Sequence, residues 1–470
     1  MKTIVYELNE VPKKLFDFYA NSFPHSSFAF LKNNADLFET FTADIGSLSP
    51  WVTWPTMHRG VSNVEHEISD LGQDLQHVNQ EYPPIWEMLA RMGVRVGVFG
   101  SLQSYPIPTN LENYDFYVPD TFAAGSECFP EKLTSFQAFN LSMVKASGRN
   151  VSPSISISQG ASFAANSLSL GLSWKTLTKI ALQLSQERIN KDLLVRRRST
   201  QIEIAFDLFF AQLKKATPDV SFFFTNHLAS SMHRYWPTIF PEDYDEGRFD
   251  GEWLSRWKSE IPHALKVANY QIATLTKFCQ RYNYKLIIAS SMGQGAVQNS
   301  EPISKQVLIT NIGKLLEKLG VEKTDWSPRL SMAPQVVVKP KSADFLTKIS
   351  KLEGIQINGK PIKYFVSSTG DVRFEVKLMN AKSVEVRFNE RIVDLNELGL
   401  SNVDIQDAAG ANAYHIPEGI LLKYDPRESW KKKESAWDAI SVLDFAPSMM
   451  NHFGFKTASY MRGEVSLSSN

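Results

Sequence analysis

A threonine between two tryptophans is the residue of this chain with the plainest potential for chemistry. Thr53 lies in the stretch 49–56, which predicts a turn that leads from an extended segment into a helix. A helix that starts at Trp54 would place the Thr53 hydroxyl beside unpaired backbone amides, which favour bound anions. Thr53 is therefore our candidate nucleophile for a phosphate or sulfate ester, with Trp54 and Thr56 as substrate-binding neighbours. The alternative is that Thr53 only caps the helix, with Pro55 in its first turn.

Two carboxylates flank Asn9 at the end of the first predicted strand. Either Glu7 or Glu10 could bind a cation, or act as a base toward Thr53 if burial raises its pKa. We take Glu10 as the candidate base, Glu7 as a candidate metal ligand and Asn9 as a substrate-binding residue. The alternative for both acids is a solvated position at the strand end.

Two further residues have side chains suited to an ester-cleaving site. His58 comes five residues after Thr53 and is a second candidate base, although a histidine on a helix surface is the more common case. Gln294 follows Gly293, and its amide donors suit an oxyanion.

The composition bounds the class of protein and its partners. The 470 residues include 50 basic and 50 acidic side chains, so no bulk field attracts nucleic acid or an anionic membrane. Two distant cysteines, Cys128 and Cys279, show no metal-binding spacing. No apolar run approaches the roughly 20 residues that span a bilayer. We expect a cytoplasmic protein without a membrane span and without a nucleic-acid partner.

Units of a helix followed by a buried strand recur along the chain. Residues 85–93 have helical periodicity and precede the apolar run 94–100, and the same order returns before the runs 220–225 and 285–290. Such alternation predicts an α/β fold with a mostly parallel central sheet flanked by helices. Ligands of these sheets bind beyond the carboxyl ends of the strands. In this chain those positions are Asn9, Ser101, Asn226 and Ser291.

Two regions depart from this alternation. Residues 141–175 are rich in serine, glycine and alanine, which predicts a mobile connection or lid. Residues 328–405 contain short alternating strand candidates between turn signals, which predicts a small inserted α+β subdomain. The α/β core would then comprise residues 1–327 and 406–470.

Five segments contain motifs in an order that is known from one enzyme family. The first is a threonine-aromatic-proline run at 53–56, and the second is a helix and strand followed by tyrosine-proline at 85–106. The third has a histidine before a basic residue and tyrosine at 228–237, the fourth a histidine before a glycine and apolar strand at 415–421, and the fifth is a closing helix at 442–463. Together they resemble the alkaline phosphatase superfamily, in its type I phosphodiesterase/nucleotide pyrophosphatase branch. The resemblance implies hydrolysis of phosphate or sulfate esters by two metals, with a covalent intermediate on Thr53.

The resemblance also implies which residues hold the first metal. It points to an aspartate at position 229 and to histidines at positions 233 and 415, and this chain has Ala229, His233 and His415. His227 could replace the missing carboxylate if the preceding strand continues, since it would lie on the same side, about 6 to 7 Å along the strand. Three histidines and one open position match the ligand count of catalytic zinc sites. The alternative for each histidine is a partly buried structural role.

The second metal site of the family lacks its ligands in this chain. The implied positions hold Asn9 (or Glu7), Thr53, Ser291 and Met292. Amide, hydroxyl and thioether groups are poor ligands for a hard divalent ion. We therefore expect one divalent metal, zinc with manganese as the alternative, and no second ion.

These observations leave three functions open. The first is a hydrolase or transferase that acts on a small-molecule phosphate or sulfate ester, sugar- or nucleotide-linked, through Thr53 and an altered metal site. The second is a non-catalytic descendant that serves as a binding or scaffolding protein. The third is catalysis without metal, with Glu10 or His58 as the base. The sequence does not identify the substrate.

Overall fold

The computed structural model describes residues 2–46, 48–147, 167–299, 301–331, 333–367, 370–428 and 436–467. The chain divides into two compact units. The first comprises Met1–Leu141, Ser156–Ser300 and Ala411–Asn470, and the second comprises Ser142–Ile155 and Glu301–Gly410. Most of the predicted lid, residues 148–166, lies outside the described residues, whereas its two ends belong to helices.

The strands are β1 (Thr3–Leu8), β2 (Asp36–Phe41), β3 (Val96–Phe99), β4 (Tyr114–Val118), β5 (Val220–Thr225), β6 (Lys285–Ala289), β7 (Gly293–Ala296), β8 (Lys305–Ile309), β9 (Trp326–Arg329), β10 (Val336–Pro340), β11 (Ile355–Ile357), β12 (Lys360–Pro361), β13 (Lys363–Val366), β14 (Val372–Glu375), β15 (Val386–Phe388), β16 (Arg391–Val393), β17 (Leu400–Asp404), β18 (Ala413–Ile416), β19 (Glu418–Tyr424) and β20 (Trp437–Ser441).

The named α-helices are α1 (Lys13–Ser22), α2 (Ser27–Asn34), α3 (Pro50–Arg59), α4 (Asn63–His66), α5 (Gln76–Glu81), α6 (Ile85–Arg91), α7 (Thr134–Ser147), α8 (Trp174–Ile189), α9 (Arg197–Ala216), α10 (His227–Tyr235), α11 (Gly251–Trp257), α12 (Glu260–Tyr282), α13 (Ile312–Lys318), α14 (Phe345–Ile349) and α15 (Phe445–His452).

The first unit is built on one eight-stranded sheet. Its strand order is β20-β2-β19-β6-β1-β5-β3-β4. Neighbouring strands run parallel except on both sides of β19, which is antiparallel to β2 and to β6. The central strands β1, β5 and β6 are buried along their whole length, which explains their apolar sequences. The predicted mostly parallel sheet flanked by helices is confirmed.

The carboxyl edge of this sheet collects polar residues from neighbouring strands. Strand β1 lies between β5 and β6, so Asn9, Asn226 and Ser290 follow three adjacent strands at the same edge. Beyond this edge, β7 and β18 form an antiparallel pair in which Gln294 lies opposite His415. Gly293 allows β7 to come close to β19, because a Cβ at this position would overlap the carbonyl oxygen of Glu418.

Helix α3 starts earlier than the sequence pattern predicted. Ser49 is its N-cap and accepts a hydrogen bond from the Trp51 amide, and Pro50 occupies the first helical position. Gly60 ends the helix in the left-handed region at φ 66°. The prediction of a start at Trp54 is therefore wrong, and Thr53 lies inside the helix.

The second unit is an α+β structure with two four-stranded antiparallel sheets, ordered β13-β14-β10-β9 and β12-β11-β15-β16. Strands β8 and β17 form a further antiparallel pair. Helices α13 and α14 contribute Leu315 and Phe345 to its core, together with Val338. The longer of its two segments runs from Glu301 to Gly410, whereas the sequence predicted an insertion at 328–405.

Within the residues that the structure describes, no helix has the length and apolar character needed to cross a bilayer.

Candidate metal centre

Three side chains of the first unit converge at the carboxyl edge of the sheet. Glu10 Oε2 lies 3.0 Å from Nε2 of His233 and 3.5 Å from Nε2 of His415. One ligand atom from each residue lies within 4.8 Å of the other two. Glu10 and His415 are almost covered, with 3% and 9% of their side chains exposed, while His233 is 27% exposed. The cluster is thus closed on most sides and reached by solvent at His233.

Each member of the cluster comes from a different element. Glu10 follows β1 and adopts a positive φ of 59°, which is uncommon for a residue other than glycine. His233 lies on α10, and its Nδ1 atom is 2.8 Å from the carbonyl oxygen of Ala413. His415 lies on β18, with Nδ1 2.7 Å from the carbonyl oxygen of Leu48. Because a carbonyl only accepts, each Nδ1 carries a proton, and in the neutral imidazole the Nε2 lone pair faces Glu10.

The Glu10 carboxylate is held by amide side chains on both of its oxygens. Asn9 Nδ2 donates to Oε1 at 2.8 Å, and Gln294 Nε2 donates to Oε2. Asn9 is fixed in turn, since its Oδ1 accepts from Trp54 Nε1 at 2.8 Å and its Nδ2 also donates to Asn226 Oδ1 at 2.8 Å. These contacts orient the carboxylate toward the two imidazoles.

The charges of the cluster support one another. Burial opposes ionisation of Glu10, but attraction to His415 and His233 outweighs it and lowers the pKa of this carboxyl well below its ordinary value. Burial alone would lower the pKa of His415, yet the charge and hydrogen bond of Glu10 raise it. The group therefore contains a carboxylate that is ionised at neutral pH.

The donor set fits a divalent metal ion. Two imidazole nitrogens and one carboxylate oxygen are the ligands of several catalytic zinc sites, which keep a fourth position open. The outer hydrogen bonds from both Nδ1 atoms and from Asn9 and Gln294 are also typical of metal sites. A metal would take the place between Oε2 and the two Nε2 atoms.

His227 does not belong to this group. Its Nε2 lies 3.1 Å from the carbonyl oxygen of Ala264 on α12, and burial lowers its pKa to about 4. The prediction required a strand that continues past Thr225, but α10 begins at His227. On a helix, side chains six residues apart point about 120° away from each other. Glu10 therefore supplies the carboxylate in the structure, and the three-histidine set is corrected to two histidines and Glu10.

Glu7 and His58 form a separate buried pair. His58 Nε2 lies 2.7 Å from Glu7 Oε1, and neither side chain is exposed at all. Trp54 stacks on the His58 ring, and Trp86 packs against it edge-on. The structure therefore does not bring Glu7 to the metal ligands or His58 to a substrate. Glu10, our predicted base for Thr53, faces the imidazoles instead.

Thr53 lies on α3 together with Trp54 and His58 and is also buried. Its Oγ1 is 2.8 Å from Oγ of Ser291, and its side chain has no exposed surface. The Thr53 amide bonds to the carbonyl of Ser49 at 3.0 Å, so the expected unpaired amide beside the hydroxyl is not found. Ser291 follows the central strand β6, which places the pair at the carboxyl edge of the sheet.

The four predicted substrate-binding residues have protein partners. Thr56 Oγ1 bonds to Asp44 at 2.9 Å and to His66 at 2.9 Å, which leaves it no free donor for an anion. Trp54 is 1% exposed and donates to Asn9, so it holds a neighbour of Glu10 and has no surface free for a substrate. Gln294 Nε2 donates to Glu10 and, at 3.1 Å, to the carbonyl of Ala229, which leaves it no donor for an oxyanion.

Sequence reasoning missed two contributions. Asn226 was named as a strand-end residue, but its bond to Asn9 was not foreseen. Tyr414, whose ring centroid lies 4.2 Å from that of His415 and 5.6 Å from that of His233, is 52% exposed beside the ligands. An aromatic residue next to a candidate ligand was the available signal.

Comparisons with known proteins add a distant structural likeness. No family model matches the chain, and no curated protein matches its sequence. Murine ectonucleotide pyrophosphatase/phosphodiesterase 5 matches with a TM-score of 0.40 and 12% identity over 99% of this chain and 98% of that chain. The inactive variant of the murine protein in complex with AMP matches with a TM-score of 0.39 and 12% identity, over 99% of this chain and 97% of that chain. The human protein of the same name matches with a TM-score of 0.39 and 11% identity, over 99% of this chain and 97% of that chain. At these values the likeness concerns the course of the chain, and no functional argument rests on it.

Proposed function

We propose that this chain is a hydrolase or transferase of phosphate or sulfate esters that works with one divalent metal at Glu10, His233 and His415. The observation that carries the proposal is the convergence of one carboxylate oxygen and two imidazole nitrogens within 4.8 Å at the carboxyl edge of the sheet. Zinc is the first candidate for this donor set, and manganese is the second. A bound ion would supply Lewis-acid polarisation of the ester oxygens and would acidify a water molecule.

The charge of the site favours a substrate with one negative charge. A divalent ion with the single carboxylate of Glu10 and two neutral histidines has a net charge of about +1. A phosphodiester or a sulfate monoester carries one negative charge and balances it. A phosphate monoester carries close to two negative charges at neutral pH, so its complex with the site would keep an excess negative charge.

The surroundings of His233 suit a bulky leaving group. His233 is the most exposed of the three ligands, so substrate would approach from its side. The half-exposed ring of Tyr414 lies beside both histidines and offers a flat apolar face. A sugar or nucleoside attached to the ester would pack against this ring.

Thr53 is our proposed nucleophile. Two contacts join this part of the chain to the candidate site: Trp54 Nε1 donates to Asn9, which holds Glu10, and the Leu48 carbonyl accepts from His415. For attack, Thr53 Oγ1 forms a bond to phosphorus or sulfur while the bond to the leaving oxygen breaks. The Thr53 proton passes to Ser291 Oγ at 2.8 Å while the Ser291 hydroxyl gives its own proton to the leaving oxygen, so that the serine ends the step neutral.

Direct attack by water at the metal centre is the alternative to attack by Thr53. It is favoured by the full burial of Thr53 and by the weak basicity of a serine partner. Thr53→Ala separates the two routes. Loss of turnover with unchanged metal content supports the threonine, and retained turnover supports water.

A non-catalytic binding or scaffolding role is the second candidate function. It is favoured by the direct contact of Glu10 with His233 at 3.0 Å, since a buried ion pair of this kind satisfies its members without a metal. The structural reason to prefer an enzyme is that both imidazoles present Nε2 to the same carboxylate oxygen.

The experiment that tests the proposal combines metal analysis with ester cleavage. Purified wild type, Glu10→Gln and the control Glu87→Gln, at a partly exposed glutamate on α6, are compared for bound metal and for cleavage of bis(p-nitrophenyl) phosphate and p-nitrophenyl sulfate. We expect about one zinc or manganese per chain in the wild type and the control, with metal and turnover both lost in Glu10→Gln. A wild type that takes up neither ion moves the non-catalytic role ahead. Bound iron without ester cleavage points to a different reaction class, because iron oxygenases use the same donor set.

A further inference from the structure

We infer that Gln294 positions the Glu10 carboxylate and that its Oε1 atom makes the centre prefer ligands that can donate a hydrogen bond. The inference rests on the metal centre proposed above. It reverses the role that the sequence suggested for this residue, because the amide acts on the site as an acceptor.

The orientation of the Gln294 amide is set by its partners. Nε2 donates to Glu10 Oε2 and to the carbonyl oxygen of Ala229 at 3.1 Å. Both partners are acceptors, so rotation of the amide by half a turn would place Oε1 against two oxygens. With the NH₂ group fixed in this way, Gln294 holds the oxygen of Glu10 that faces both imidazoles.

The other atom of the same amide has no partner. Gln294 is 1% exposed, and its buried Oε1 accepts no hydrogen bond from any residue that the structure describes. Leaving such an acceptor unpaired is unfavourable, so a ligand that donates to it would be stabilised. Because Oε1 shares a carbon with Nε2, it belongs to the same buried surroundings as Glu10 Oε2, the oxygen that faces both imidazoles.

The strand pairing keeps this acceptor in place. Gln294 on β7 is in register with His415 on β18, so one two-stranded unit carries both a metal ligand and the amide. A side chain at position 293 would overlap the Glu418 carbonyl and push β7 away. The backbone thus fixes where the Gln294 side chain starts relative to His415, and the two hydrogen bonds of Nε2 fix where its amide ends.

An unpaired acceptor at a metal centre favours ligands that can donate a hydrogen bond over ligands that can only accept one. A water molecule, a hydroxyl of the substrate or hydrosulfide can each donate a proton to Oε1. Azide can only accept, so its lone pairs would meet the lone pairs of Oε1. We therefore expect the centre to bind hydrosulfide in preference to azide, although both are monoanions.

The test uses the cobalt(II)-loaded protein, in which ligand binding is read from the visible spectrum. Azide and hydrosulfide are titrated into the wild type, Gln294→Met and Gln294→Glu. The matched control is Gln306→Met, because Gln306 is also buried with an unpaired Oε1 but lies in the second unit. The quantity compared is the ratio of the azide Kd to the hydrosulfide Kd.

We expect this ratio to fall at least tenfold in Gln294→Met, which loses the acceptor, and to stay within threefold of the wild type in the control. Cobalt affinity should fall 10- to 100-fold in Gln294→Met, because Glu10 loses its anchor. Gln294→Glu keeps an acceptor oxygen, so its ratio should not fall. Cobalt is supplied in excess of the weakened affinity, so that the ratio is measured on loaded Gln294→Met.

Two outcomes overturn the inference, and they are distinguishable. A wild type that binds no cobalt removes the metal centre itself, and with it the proposed function. Cobalt binding in every variant with an unchanged ratio in Gln294→Met, or a tenfold fall in Gln294→Glu, leaves the metal centre standing and removes the role of Oε1.

Discussion

Replacing His227 with glutamine should make the first unit more resistant to acid. Burial lowers the pKa of His227 to about 4 from an ordinary value of 6.5, while the hydrogen bond to the Ala264 carbonyl opposes this shift. Above about pH 7 the side chain is neutral in the folded and unfolded chains and adds no pH dependence. Between about pH 6.5 and about pH 4 the unfolded chain binds a proton that the folded chain excludes, so the free energy of unfolding falls as the pH falls.

The size of the effect follows from the two pKa values. The folded value lies about 2.5 pH units below the unfolded one, and each unit corresponds to about 1.4 kcal/mol. His227 should therefore remove about 3 kcal/mol of stability between pH 7 and pH 4. In His227→Gln the amide can still donate to the Ala264 carbonyl, and this part of the pH dependence should disappear.

The assay is urea unfolding at a series of pH values from 7 to 4, followed by tryptophan fluorescence. Nine of the ten tryptophans belong to the first unit, so the signal reports on the unit that contains His227. The exposed His77 on α5 provides the control His77→Gln. Parallel pH profiles for the wild type and His227→Gln would refute the reasoning. Loss of bound metal in His227→Gln would return this residue to the ligand set.

Three further substitutions test other contacts of the first unit. Glu7→Ala leaves the fully buried His58 without its partner and should destabilise the protein by about 3 to 5 kcal/mol in urea unfolding without changing the metal content; a loss below about 1 kcal/mol would contradict a buried ion pair. Trp54→Phe keeps an aromatic side chain but removes the indole donor to Asn9, and should weaken metal binding about 10-fold in a chelator competition. An unchanged metal affinity would show that Asn9 holds Glu10 without help. Thr56→Val removes three polar contacts, with Asp44, His66 and the Val52 carbonyl, at nearly constant shape. It should lower the unfolding free energy by about 1 to 3 kcal/mol, a result that equal urea midpoints would exclude.

The central sheet was predictable because its strands are buried on both faces. Such strands have continuous apolar sequences, as in β5 and β6, and helices between them identify a parallel arrangement. The order of the strands in space, and the antiparallel entry of β19, depend on contacts between distant segments. No local pattern of residue types encodes them.

The candidate site was predictable in its residue types but not in its grouping. His233 and His415, which the sequence predicted to share a metal, have ring centroids 5.3 Å apart. His227 was misplaced because one residue decides where β5 ends and α10 begins, and that boundary changes the direction of every following side chain. Glu7 was predicted as the metal ligand and Glu10 as the base, but Glu7 pairs with His58 and Glu10 lies against the imidazoles. The positive φ at Glu10 was not foreseen from the sequence.

The backbone at Glu10 sets the requirements of the metal centre against those of folding. A non-glycine residue at φ 59° carries a conformational cost of about 1 to 2 kcal/mol, which glycine would not carry. Selection for stability alone would thus favour glycine at position 10, and the carboxylate would disappear with the strain. Glutamate at this position therefore keeps a local strain that the contacts of its carboxylate with His233, His415 and Asn9 must offset. Position 10 is thus a point where the candidate site and the stability of the fold make opposite demands on the backbone.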